Sequence, residues 1–155
     1  MSNIASLEKM RAYFNGGSTR TFTFRKEQLK KLRASILKHE EDLYGSLYAD
    51  LKKSREETWV TETGMVISEL NAAIKNLRHW MGAESVSTNL LNLPSGSRVM
   101  KEPLGVVLII GPWNYPFQLL IYLLFSCHSH LFLLLLILFP LSCLKFRLKI
   151  LNEYQ

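Results

Sequence analysis

The feature that most constrains this chain is a long stretch without charge, since no Asp, Glu, Lys or Arg occurs between Glu102 and Lys145. The rest of the chain is strongly charged, so the hydrophobic content of 48% averages two different kinds of sequence. An apolar run of this length has to be buried, whereas the charged part can cover its own surface. We therefore treat residues 1–120 separately from residues 121–155, an apolar tail of low complexity.

The charged part predicts helices. A short helix is expected from a cap at Ser6 to a stop at Gly16, and two long antiparallel helices are expected over residues 25–51 and 59–81. Within each long run the apolar positions step by three, four or seven, which places them on one helix face. These positions are Leu29, Leu32, Ile36, Leu43, Leu47 and Leu51 in the first run, and Trp59, Thr63, Val66, Leu70, Ile74, Leu77 and Met81 in the second.

Strands are expected only after the helices. Residues 83–97 are polar and aperiodic, which predicts a loop. Residues 98–110 predict a hairpin or two successive strands with a bend at residues 103–105. The run from Val106 to Ile110 is too uniformly apolar for a half-exposed strand, so it suits a strand of a parallel sheet covered on both faces.

Charge and cysteine content exclude several classes of protein. The net charge is +6, but the basic residues in 25–55 alternate with acidic ones, which indicates a solvated helix face and no nucleic-acid partner. The two cysteines both lie in the tail and indicate no disulfide framework. The start of the chain contains Glu8 and has no apolar run, so a secretory signal is not indicated and the cytoplasm is the default location.

One short motif, "GPWNYP" at residues 111–116, follows the predicted buried strand. Gly111 allows a turn and Pro116 suits the first turn of a new helix. The carboxyl end of such a strand is where ligands and catalytic groups gather in α/β sheets. Asn114 could offer its amide to a developing oxyanion, or it could simply cap the following helix. Trp113 and Tyr115 could pack in the core or line a ligand site.

These residues carry a resemblance. The segment "EPLGVVLIIGPWNYPFQLL", together with "FRKEQLKKLRASILKHEEDLYGSLYADLKKS" and "ETGMVISELNAAIKNLRHWM", resembles the amino-terminal part of an aldehyde dehydrogenase, nearest the class 3, fatty-aldehyde branch. The resemblance covers residues 4–120. It implies the start of an incomplete Rossmann-like sheet, NAD or NADP as cofactor, a small-molecule aldehyde as substrate and a homo- or hetero-oligomer.

The resemblance also implies roles for individual residues. In the family, a cysteine thiolate attacks the aldehyde, hydride passes to the cofactor, and a glutamate-activated water hydrolyses the thioester. Asn114 matches the asparagine that helps to hold the oxyanion, and Tyr115 matches a residue of the substrate tunnel. The segment that lines the nicotinamide side of the cofactor cleft matches Ile110, Gly111, Pro112 and Trp113.

The resemblance stops after Leu120. The lysine-containing ribose segment, the general-base glutamate and the nucleophilic cysteine of the family have no counterparts, and Cys127 and Cys143 lie in unrelated sequence. We therefore expect this chain to be inactive by itself and to lack most of the cofactor site.

The tail allows several interpretations. Its Leu, Phe, Ser and Pro have codons made wholly of pyrimidines, which favours read-through into an intron. Residues 119–139 are long enough to cross a bilayer as a helix, although residues 126–130 are polar, so a membrane-tethered or partner-binding helical module is the alternative function. The segment "CHSH" at residues 127–130 does not predict a metal site, because adjacent side chains point apart and a fourth ligand is missing. We expect the tail to be helical.

Overall fold

The computed structural model describes residues 2–103, 105–130 and 132–138, and the side chains of residues 7–103, 105–107 and 109–124. Its helices are α1 (Ser2–Asn15), α2 (Phe22–Lys38), α3 (Glu40–Leu51), α4 (Arg55–Thr58), α5 (Gly64–Trp80) and α6 (Pro116–His130). Short 3-10 helices cover Ser18–Arg20 and Leu90–Asn92, and a π-helical turn covers Trp59–Thr63. The strands are β1 (Glu84–Val86), β2 (Ser97–Val99), β3 (Gly105–Ile110) and β4 (Phe132–Leu138).

The first predicted helix is confirmed, with a different start. Helix α1 begins at Ser2 rather than next to Ser6, and it ends at Asn15 as the two following glycines predict. Gly17 has a φ of 77°, a left-handed conformation that glycine adopts at little energetic cost.

The prediction of one long helix over residues 25–51 was wrong in one respect, because His39 separates α2 from α3. His39 has a φ of −107° and a ψ of 19°, and its N–H donates to the Ser35 carbonyl at 3.1 Å, which closes α2. Three acidic residues follow in the first turn of α3, where negative charge interacts favourably with the helix dipole. The break leaves the apolar face continuous, because Leu29 and Leu43 are both completely buried.

The second long run is helical from Arg55 to Trp80, but the π-helical turn shifts its faces. Trp59, expected on the apolar face, is 56% exposed, whereas Glu62 and Thr63 are buried. A π turn adds a residue to the helical repeat, so side chains before it point in a different direction from those after it. The positions after the turn, Val66 and Leu70 among them, are buried as predicted.

The loop predicted over residues 83–97 was also only partly right. Its two ends pair as an antiparallel ladder, in which Glu84 lies opposite Val99 and Val86 opposite Ser97. These strands have three residues each and are mostly exposed, so no apolar alternation marks them. Residues 98–110 do form two successive strands, β2 and β3, but the two belong to different sheets.

The β3, α6 and β4 segments form one β-α-β unit. β4 pairs in parallel with β3, from Gly105 opposite Phe132 to Ile110 opposite Leu138, with an irregularity between Val107 and Ile109. In the part of the tail that the structure describes, the helix ends at His130 and residues 132–138, which were expected to be helical, form a strand. Residues 139–155 lie outside the described part of the chain. None of the helices in the described ranges combines the length and apolar character that crossing a bilayer requires.

One core joins the helices to this unit. Each fully buried leucine contributes about 1.5–3 kcal/mol through removal of its surface from water. The core residues are Leu29, Leu32, Ile36, Leu43, Leu47, Val66, Leu70, Ala73, Leu77, Ile109, Phe117, Leu120, Ile121 and Leu124.

Candidate functional site

The end of β3 and the turn between β3 and α6 carry every site residue that the sequence predicted. Because these residues are consecutive, what the structure adds is their exposure and surroundings. Ile110 is 61% exposed, Trp113 is 73% exposed, and Asn114 is also exposed, whereas Pro116 and Phe117 are buried. The turn is thus attached to the core on its α6 side and open on the side of Trp113 and Asn114.

Helix α6 begins with a carboxylate from another part of the chain. The Leu119 N–H donates to the Tyr115 carbonyl at 3.2 Å, which makes Tyr115 the cap residue. The N–H of Gln118, in the first turn of α6, has no carbonyl partner within the helix and donates to Glu62 Oε2 at 2.8 Å. Asn114 therefore lies one residue before the cap position, and Glu62 satisfies this N–H of the first turn.

Glu62 also forms a buried ion pair. Lys53 Nζ lies 2.6 Å from Glu62 Oε1, and the side chains are 8% and 0% exposed respectively. The same ammonium group donates to the backbone carbonyl of Asn114 at 3.3 Å and lies 4.3 Å from the centre of the Tyr115 ring. A cation over an aromatic face contributes about 0.5–2 kcal/mol. The pair thus contacts the turn at Asn114 and Tyr115 and the first turn of α6 at Gln118.

Local sequence places Lys53 between two helices. Lys52 has a φ of 57°, and its N–H donates to the Tyr48 carbonyl at 3.0 Å, which ends α3. The Ser54 hydroxyl then accepts from the Glu57 N–H at 3.1 Å and caps α4. Because both neighbours are fixed by helix ends, the backbone of Lys53 has little freedom.

The π-helical turn places Glu62. Residues 59–63 of this turn lie against α6 and join α5 directly. Gly64 follows the turn at a point where a β-carbon would lie 2.7 Å from the Trp59 carbonyl oxygen, so glycine is required for this close approach. Single π turns of this kind occur frequently at functional sites.

The carboxylate of Glu62 has an electrostatic consequence. The N-terminus of a helix attracts anions because its unpaired N–H groups and the helix dipole are both positive there. At α6 the N–H of Gln118 already binds the Glu62 carboxylate. A phosphate at the same N–H would have to displace Glu62 from its pair with Lys53, so the surface next to the turn suits neutral or apolar groups.

Sequence reasoning missed Lys53 and Glu62. Lys53 fell among the charged residues of 25–55 that were assigned to a solvated helix face, and Glu62 was given no role. A signal was nevertheless present, because Glu62 lies four residues before Val66 and so falls on the stripe of α5 that includes Val66 and Leu70. A carboxylate on a buried stripe is rare unless it has a partner.

A second concave surface lies on the other side of the π-helical turn. The Tyr44 hydroxyl donates to Glu40 Oε1 at 2.6 Å, and burial together with this bond raises the pKa of Tyr44. Arg55 lies 4.8 Å from the centre of the Tyr44 ring, and its two bonds to the Glu41 carboxylate raise the pKa of its guanidinium. The residues lining this groove are Glu40, Tyr44, Arg55, Glu56, Trp59 and Val60.

Metal ligation has no support in the side chains that the structure describes, where no three His, Cys, Asp or Glu residues lie close enough to share an ion. The side chains of Cys127, His128 and His130 fall outside that part of the chain.

Comparison with known proteins gives consistent matches over the same region. The family model described as "Aldehyde dehydrogenase family" matches residues 4–125. The 4,4'-diaponeurosporen-aldehyde dehydrogenase of Staphylococcus aureus (strain NCTC 8325 / PS 47) is 45% identical over 109 residues, which are 70% of this chain and 24% of that protein. "Aldehyde dehydrogenase family 3 member B3" of Mus musculus is 44% identical over 74% of this chain and 24% of that protein.

Solved structures agree. The structure described as "Substrate bound state of Staphylococcus Aureus AldH" has a TM-score of 0.77 and 41% sequence identity, and the match covers 79% of this chain and 27% of that one. The chain spans about a quarter of the length of the curated relatives that it matches. The class 3 resemblance is confirmed by the family 3 relative. The chain therefore belongs to the aldehyde dehydrogenase family.

Proposed function

We propose that this chain carries the oxyanion-holding turn of an NAD(P)-dependent aldehyde dehydrogenase, with Asn114 as the donor. The observation that carries the proposal is the exposed position of Asn114 on a turn whose backbone is held by the buried Lys53 and Glu62. An amide is a neutral donor, so it can stabilise negative charge that develops on an aldehyde oxygen without binding anions beforehand. A fixed donor of this kind contributes roughly 3–4 kcal/mol to acyl-transfer transition states.

The cofactor assignment fits the same turn. We propose that Ile110, Gly111, Pro112 and Trp113 face the nicotinamide ring of NAD or NADP, which accepts hydride when bound. The exposed apolar surfaces of Ile110 and Trp113 suit a flat ring. A phosphate of the cofactor has no free N–H at Gln118, because that group is already bonded to Glu62. One relative, of Canis lupus familiaris, is named "Aldehyde dehydrogenase, dimeric NADP-preferring"; it is 43% identical over 122 residues, 78% of this chain and 27% of that protein.

The substrate would be a small-molecule aldehyde that reaches Asn114 past Tyr115. The Tyr115 ring is 39% exposed, and its position is held by the Lys53 ammonium group. A ring fixed in this way presents an apolar wall of constant shape.

The 155 residues alone would not oxidise an aldehyde. The reaction needs a thiolate nucleophile and a general base besides the oxyanion donor. We propose that residues 1–120 act within a longer protein that supplies both, that the longer protein forms a homo-oligomer in the cytoplasm, and that the tail from residue 121 is a separate, low-complexity segment.

A chimera tests the proposal. Residues 4–120 would replace the matching segment of the Staphylococcus aureus relative, and NAD(P)H production from an aldehyde would be followed with and without Asn114→Ala. We expect kcat to fall about 10²- to 10³-fold with little change in the KM for the cofactor, because the lost donor acts mainly in the transition state.

The control is Asn71→Ala, which removes an exposed asparagine from the surface of α5 and should leave kcat unchanged. The 155-residue chain itself should give no product with either cofactor. An active chimera that keeps full kcat after Asn114→Ala would refute the oxyanion role.

A further inference from the structure

We propose that Lys53 and Glu62 are positioning residues, which hold the Asn114 turn in one conformation before any ligand binds. The proposal rests on the proposed function only for the role that it gives to Asn114. The arrangement of the pair itself is visible without substrate or cofactor.

The hydrogen-bonding groups of the pair are directed at the turn. Glu62 Oε1 accepts from Lys53, and Glu62 Oε2 accepts from the Gln118 N–H at 2.8 Å. Lys53 Nζ donates to Glu62 and to the Asn114 carbonyl, and its remaining contact is with the Tyr115 ring. Lys53 and Glu62 are thus bonded to each other, and each also bonds a backbone group near Asn114.

Stability alone does not account for such a pair. Removing two charges from water costs about as much as their attraction returns, so well-packed apolar residues often serve as well or better. Buried ionic groups do, however, favour one arrangement over others because only one geometry satisfies all their bonds. The Lys53 and Glu62 bonds would be broken by any shift of the turn.

The contacts lie at Asn114 and on its C-terminal side. Lys53 holds the carbonyl of Asn114 itself, the same ammonium group contacts the next residue, Tyr115, and Glu62 holds Gln118. A displacement of Asn114 by about 1 Å would strain at least one of them, and shifts of this size can reduce reaction rates about 100-fold.

The two residues come from rigid elements. Lys53 lies between the end of α3 and the capped start of α4, and Glu62 lies in the π-helical turn that packs against α6. The turn is therefore held from the helical part of the chain by residues more than fifty positions earlier in sequence.

Amide hydrogen exchange followed by NMR on the full 155-residue chain tests this role. The variant Lys53→Met with Glu62→Gln removes both charges together, so no unpaired charge is left buried. We expect exchange at Gln118 to become about tenfold faster or more, because a bond to a charged acceptor is lost, while the amides of α2 and α5 keep their rates. The single variant Lys53→Arg keeps both charges, so exchange at Gln118 should stay slow, as in the unmodified chain.

The matched control removes the Lys101 and Glu84 pair, which has the same 2.6 Å separation but is more exposed and involves no residue of the turn or of α6. It should leave Gln118 unchanged. Uniformly faster exchange across α2, α5 and α6 would show that the pair only stabilises the fold, and unchanged exchange at Gln118 would show that it does not hold the turn. Either result would overturn the proposal, and neither depends on whether the chimera oxidises aldehydes.

Discussion

A β-carbon on Gly64 would lie 2.7 Å from the carbonyl oxygen of Trp59, at the point where the π-helical turn becomes α5. This is closer than such atoms approach in proteins, and the obstacle is backbone rather than a flexible side chain. The shape of the turn that places Glu62 therefore depends on the absence of a side chain at residue 64.

Gly64→Ala should consequently destabilise the chain, by about 1–3 kcal/mol, because the helix backbone has to shift to relieve the contact. Gly45→Ala is the matched control, since a β-carbon there would meet nothing within 4 Å and α3 is an ordinary helix. It should stabilise by roughly 0.5–1 kcal/mol through helix propensity. Urea unfolding measures both, and equal stability of the two variants would contradict the described packing.

Breaking the buried ion pair should be more harmful than removing it. Lys53→Met alone leaves the Glu62 carboxylate buried without its cation, and we expect a loss of about 3–5 kcal/mol. The double variant with Glu62→Gln should lose much less. Denaturant unfolding of the two single variants and the double variant gives the coupling energy, and additive effects would show that the two charges do not interact in solution.

Tyr44 should make stability depend on alkaline pH. Burial raises the pKa of its hydroxyl above the ordinary value of 10.0, and the bond to Glu40 raises it further. Above about pH 10 the unfolded chain therefore releases this proton while the folded chain retains it, so the free energy of unfolding falls as pH rises.

Tyr44→Phe should remove that part of the pH dependence, which unfolding at about pH 8 and about pH 11 would measure as a smaller difference. Tyr48→Phe is the control, because Tyr48 is 60% exposed. An identical pH dependence in wild type and Tyr44→Phe would rule out the role assigned to Tyr44.

Strand β4 should protect β3. A chain ending at His130 lacks the parallel partner of β3, and we expect the β3 amides that bond to β4 to exchange faster. A chain ending at Leu138 keeps both strands and serves as the control. Equal exchange in the two chains would mean that the β3 ladder does not depend on β4.

Much of the helical core could be predicted from the sequence, because burial there follows a simple period. Leu29, Leu32 and Ile36 in α2 and Val66 and Leu70 in α5 are buried as the spacing requires. The position of the turn was also predictable, since Pro116 begins α6.

The remaining differences have physical reasons. No proline or glycine marks the break at His39, and the short exposed strands β1 and β2 have no apolar alternation. The run "FLLLLIL" suits a buried parallel strand as well as a helix, so periodicity alone does not separate the two. The role of Glu62 depends on residues 53 and 118, and a contact over that distance has no local signature in sequence.

The bracing of the Asn114 turn also bears on the order of events during translation. Lys53, Glu62 and Gln118 all precede residue 120, whereas the relatives that share this segment are about four times as long as the matched part. Chains fold from the amino terminus as they leave the ribosome. The residues that hold the turn are therefore all present before anything after residue 120 is synthesised, so the turn can take its final shape early in synthesis.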